Sequence, residues 1–100
     1  MTPGPVPHPA PGGASFTETV DGRRGAISAR GHLTTRAADM VRGTVEVLRR
    51  SGHVSVVVDL TGVRRVDDDG LRALHALADG IREGGGRLTL VQPPAPRRHG

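Results

Sequence analysis

The stretch Val54–Leu74, VSVVVDLTGVRRVDDDGLRAL, constrains the fold of this chain more than any other. It opens with a β-branched run in which Val54, Val56, Val58 and Leu60 point one way and Val57 the other. So valine-rich a strand fits a sheet buried largely on both faces, hence a parallel arrangement with helices alongside. A short link follows, then three aspartates, Gly70, and apolar residues at helical spacing: Leu71, Leu74, Leu77, Ala78 and Ile81. Arg72, Asp79, Arg82 and Glu83 fall largely on the opposite face. A strand that feeds a loop and then a helix start is a common way to build a site. The functional question is therefore what Asp67, Asp68 and Asp69 are for.

The rest of the chain arranges itself around this unit. Phe16–Val20 alternates in strand fashion, and Asp21-Gly22 is a tight-turn signal before a weaker strand at Ala26–Arg30. Thr34 or Thr35 can cap a helix whose core face is Ala37, Met40, Val41, Thr44, Val45 and Leu48, and Gly52 ends it. Gly84-Gly85-Gly86 stops the second helix, and Arg87–Val91 is a last strand. The order β-β-α-β-α-β predicts a small α/β domain, with a mixed four-stranded sheet carrying its helices on one face. Strand–helix–strand units in this order favour a right-handed crossover. The segment Arg64–Gly70 is expected to be the loop that opens the second helix.

Composition decides what surrounds that domain. Prolines at 3, 5, 7, 9 and 11 fix φ and remove donors, so residues 1–14 are expected to be a disordered tail. Residues 93–100, with three prolines and Arg97-Arg98, read as a second tail. The domain, 15–92, is small, and Phe16 is the sole aromatic of the chain, so its core must be Val, Leu, Ile and Ala. A partner, or a second copy forming a homodimer, would help such a core. The formal charge of +4 invites a nucleic-acid reading. However, setting aside Arg97 and Arg98 leaves twelve basic side chains against ten acidic ones, with no aromatics interleaved to stack on bases. No nucleic-acid partner is expected. The absence of cysteine excludes disulfides, zinc thiolates and thiol catalysis. The N-terminus has no apolar signal region, and no apolar run approaches the roughly 20 residues that span a bilayer. No membrane insertion and a cytoplasmic location are expected. The histidines at 8, 32, 53, 75 and 99 show no metal-ligand spacing. His32 and His75 read as surface or boundary residues. No cofactor is implied.

Three uses of the aspartates compete. One is a helix N-cap, but one carboxylate suffices for that and three repel each other. A second is a magnesium-dependent phosphoryl enzyme using Asp67 and Asp69. It lacks the lysine and the second acidic cluster such chemistry needs, since the chain has no lysine at all. The third is recognition of another protein.

On that third use, VVVDLTGVRRVDDDGLRALHAL followed by GGGRLTLV resembles a STAS domain, the fold of bacterial anti-sigma factor antagonists. Gly31-His32-Leu33 is similar to the G-x-L that precedes the first helix of that family. The resemblance covers about Gly25 to Pro94 and implies a non-enzymatic transcription regulator whose partner is a kinase-like anti-sigma factor. It places the contact surface at Asp67, Asp68, Asp69, Gly70, Leu71 and Arg72, with Arg64, Arg65 and His75 as a rim. Asp67 matches the aspartate and Gly70 the glycine of the family's D-S-S-G motif. Asp69 stands where the family's phosphorylated serine would be, and Asp68 replaces the other serine. The usual phosphorylation switch therefore has no hydroxyl at this position. A carboxylate carries about −1 against about −1.5 to −2 for a phosphoserine. Asp69 thus either mimics the phosphorylated state or meets a partner surface adapted to it. STAS domains without the serine also serve as structural subunits beside a transporter ATPase or within signalling assemblies, which is the alternative role. Typical members continue past the last strand with another helix, so part of one sheet face is expected to be exposed or covered by a partner.

Overall fold

The computed structural model describes residues 7–9 and 16–92. Its elements follow the expected order: β2 (Phe16–Asp21), β3 (Ala26–Leu33), α1 (Thr35–Arg50), β4 (Ser55–Val66), α2 (Asp68–Glu83) and β5 (Arg87–Val91). An additional three-residue strand, β1 (Pro7–Pro9), which the sequence reading did not contain, pairs antiparallel with β2. It lies at the edge of the sheet, where proline's missing donor is tolerated. The remainder of the two tails, 1–6, 10–15 and 93–100, lies outside the described residues.

The strands line up in sequence order. β2 and β3 form an antiparallel hairpin, and β4 joins β3, then β5 joins β4, both in parallel. The hairpin turn is organised by the Asp21 carboxylate, which accepts from the amides of Arg23 at 3.1 Å and Arg24 at 3.3 Å. Because each parallel connection steps one strand in the same direction, crossovers of one hand put α1 and α2 on the same face of the sheet. The two helices pack against each other there.

α1 starts at Thr34, whose Oγ1 accepts from the Ala37 amide at 3.0 Å. It buries Ala37, Ala38, Val41, Val45 and Leu48. α2 is anchored by Leu74 and Ile81, with Leu71, Leu77 and Ala78 half-buried against the same core. Both helices stop in the same way, at glycines with φ of +108° (Gly52) and +93° (Gly85). At each stop two amides turn back onto helix carbonyls: Gly52 and His53 onto Arg49 and Leu48, Gly85 and Gly86 onto Arg82 and Ile81. From the sheet, Phe16, Ile27, Ala29, Leu33, Val56, Val58, Leu60, Val63 and Leu88 complete the core.

Three sequence expectations need correction. Val54 does not share the core face with Val56 and Val58 but is 67% exposed, because it precedes the strand. Val57 is 37% exposed, because the helices cover one face only and the sheet is not buried on both. Finally, Arg64 and Arg65 are not in a loop. β4 runs twelve residues to Val66, held along β3, and two register shifts absorb its extra residues. The first shift falls where the Asp59 carboxylate accepts from the amide (2.9 Å) and hydroxyl (2.6 Å) of Thr61. Those two bonds hold the Asp59 carboxyl below its ordinary range.

Candidate protein-binding site

The end of β3 and the start of α2 are fastened to each other by backbone. The Asp67 amide donates to the Leu33 carbonyl at 2.9 Å. One turn on, Gly70 is buried so closely that an added Cβ would lie 2.8 Å from the Thr34 carbonyl oxygen and 3.0 Å from that of Leu33. Only a residue without a side chain allows this approach. The seam brings the capped start of α1 beside the start of α2, so that Thr35, Val66, Asp67, Asp68, Asp69 and Arg72 line one open concavity of about 610 Å³.

The three aspartates differ within it. Asp67 has the extended backbone of an N-cap (φ −82°, ψ 137°), yet its side chain makes no capping bond. Its Oδ1 instead pairs with Nε2 of His32 at 2.8 Å. Asp68 and Asp69 occupy the first turn of α2, where negative charge is favoured by the helix dipole. Both are exposed, and among the described residues neither carboxylate has a hydrogen-bond or ion-pair partner. Capping thus accounts for none of the three side chains through a bond.

Of the other residues expected at this surface, Arg72 is exposed and in the concavity. Gly70 and Leu71 turn toward the core, Gly70 as the close-approach residue and Leu71 half-buried. Arg64 and Arg65 are exposed on β4, and His75 is exposed on α2, but none of the three lines the concavity. Sequence reasoning missed three residues. Thr35, the exposed first residue of α1, and Val66, the last of β4, line the concavity, and His32, which pairs with Asp67, is inside β3 rather than after it. The register that sets His32 opposite Arg65 depends on the bulges of β4, which leave no mark in the sequence.

A second hollow, of about 640 Å³, follows the groove between α1 and α2 and is lined by Ala38, Ala73, Ala76 and Leu77 among others. It contains none of the motif carboxylates. Among the described residues, no three histidine, aspartate or glutamate side chains are grouped to hold a metal ion. No described helix is long and apolar enough to cross a membrane.

The family model described as Mlab, STAS domain matches residues 16–99. The chain belongs to the STAS domain family. STAS domains are generally non-enzymatic regulatory or binding modules. Of the segment Asp67–Gly70, whose likeness to the D-S-S-G motif is noted above, the three aspartates line the concavity and Gly70 is buried behind them.

Proposed function

We propose that this STAS domain is a regulatory protein-binding module of the anti-sigma factor antagonist type, in the cytoplasm, whose partner is a kinase-like anti-sigma factor. The observation that carries the reading is the state of Asp68 and Asp69: two exposed carboxylates at a helix start, neither bonded to a partner among the described residues. Two adjacent charges that repel each other are a cost to the fold that a cationic partner surface would offset. Asp67, the single residue between β4 and α2, is engaged by His32, and Arg72 supplies the one cation on the concavity wall among the described residues. With no hydroxyl at 68 or 69, the contact there is set by fixed charge.

A second reading is favoured by the missing serine: a structural STAS subunit beside a transporter ATPase. One experiment separates the two. Wild type and Asp69→Ser are each presented to the kinase-like anti-sigma factors and to the transporter ATPases of the source organism in a pull-down. The antagonist reading expects capture of an anti-sigma kinase by the wild type, and phosphorylation of Asp69→Ser at the new serine. Capture of a transporter ATPase alone would replace it with the second reading.

A further inference from the structure

We infer that the alternating prolines make β1 a one-sided strand, which closes the β2 edge of the sheet against a second copy of this chain. In an extended strand the N–H and C=O of successive residues point to opposite edges, so residues i and i+2 serve the same edge. β1 pairs with β2 through Pro7↔Thr19, His8↔Glu18 and Pro9↔Thr17. Proline has no N–H, so His8 is the one residue of β1 able to donate, and its amide faces β2 at Glu18. Pro7 and Pro9 then turn to the far edge, where they offer carbonyls and no donor. A further strand arriving there finds half of a ladder. The spacing is not confined to the three paired residues. Prolines stand at 3, 5, 7, 9 and 11, with Gly4, Val6, His8 and Ala10 between them. The period of two is the period of a strand, and in any extended stretch of this sequence all the amides fall on one edge.

The edge that β1 covers is one that needs covering. β2 pairs with β3 over all six of its residues without a register shift, unlike the bulged pairing of β3 with β4. It contains neither proline nor lysine, and Phe16, Thr17, Thr19 and Val20 all favour strand. A regular edge of this kind is a template for pairing with another chain. Because β-pairing can be antiparallel, two copies of β2 can meet about a two-fold axis, as a self-complementary interface requires. The opposite edge differs. β5 has five residues, opens with Arg87, and is followed in sequence by Pro93 and Pro94. β2 carries no such device of its own, and its protection comes from the proline-bearing segment that precedes it in the chain.

The test uses the full chain as wild type, His8→Pro, His8→Thr and the double variant Pro7→Thr/Pro9→Thr. Amide hydrogen exchange is read residue by residue by NMR, and association by sedimentation equilibrium over a range of protein concentration. His8→Pro removes the donor of β1. In dilute protein the Glu18 amide should then exchange at least about tenfold faster, while Thr17 and Thr19, whose amides face β3, keep their rates. At higher concentration the bared β2 edge should make His8→Pro associate more strongly than the wild type. His8→Thr keeps the backbone amide and should match the wild type in both readouts. Pro7→Thr/Pro9→Thr gives the far edge two donors; it should leave Glu18 protected and add a self-associating species that the wild type lacks. An unchanged Glu18 rate in His8→Pro means that β1 does not hold β2, and overturns the inference. A His8→Thr chain that behaves as His8→Pro does, or a Pro7→Thr/Pro9→Thr chain that associates no more than the wild type, overturns it as well.

Discussion

Gly70→Ala should loosen the joint between β3 and α2 even though alanine is the better helix former. The new Cβ would sit 2.8 Å from the Thr34 carbonyl oxygen and 2.9 Å from its carbon. Both atoms are backbone, so no rotamer change relieves the contact, and α2 must back away from the end of β3. Overpacking of this kind costs about 1–3 kcal/mol. The retreat also strains the 2.9 Å bond from Asp67 to Leu33, and a hydrogen bond of this sort contributes about 1 kcal/mol. Against that stands a helix-propensity gain of about 1 kcal/mol for alanine over glycine. The net expectation is destabilisation by about 1–2 kcal/mol. Gly80, on the same helix, is the control, since an added Cβ there meets nothing within 4 Å. Gly80→Ala should stabilise by about 0.5–1 kcal/mol. In urea, with a slope of about 1 kcal/mol/M for a domain this small, the midpoint falls by about 1–2 M for Gly70→Ala and rises by about 0.5–1 M for Gly80→Ala. If both variants shift the midpoint upward alike, the close approach at Gly70 is not what holds the seam.

Thr34→Ala removes the one side-chain cap seen on α1 and should cost about 1 kcal/mol in chemical denaturation. Asp67→Ala removes no such bond, so its loss should trace to His32: a double-mutant cycle with His32→Ala is expected to show a coupling of up to about 1 kcal/mol, as for a partly exposed pair. Zero coupling would contradict the 2.8 Å contact. Asp59, held below its ordinary carboxyl range by the hydroxyl and amide of Thr61, stabilises the fold above the unfolded-state pKa of about 4, and loses that contribution as pH falls through the folded value. Thr61→Ala should therefore melt below wild type at neutral pH, with the difference closing as the solution is acidified below about pH 4.

Much of this architecture could be read from residue patterns. The core face of α1, a threonine cap at Thr34 or Thr35, both glycine stops and the order β-β-α-β-α-β need only the local rules of periodicity and capping; the structure settles the cap on Thr34. What escaped is non-local. Arg64 and Arg65 looked like loop because charged pairs interrupt an apolar run. They are strand because β3 extends to Leu33 and β4 pairs along it through two register shifts. The 67% exposure of Val54 likewise depends on where the neighbouring strand begins, not on its own β-branched side chain. At the site, the acidic motif was visible, but its division of labour was not. That Asp67 turns to His32, that Gly70 serves packing, and that Thr35 joins the concavity all follow from the β3–α2 seam. The buried Glu18 on β2 is another feature that alternation alone would have assigned to an apolar residue.

The claim that Asp69 is a recognition residue meets its most direct test in a titration of wild type and Asp69→Ala with the kinase-like anti-sigma factor, read by calorimetry beside urea denaturation of each protein. The account predicts that Asp69→Ala binds at least about tenfold more weakly, a loss of about 1.4 kcal/mol, with its unfolding midpoint unchanged. Undiminished binding with stability lowered by about 1 kcal/mol would make Asp69 a helix-capping charge and contradict the account.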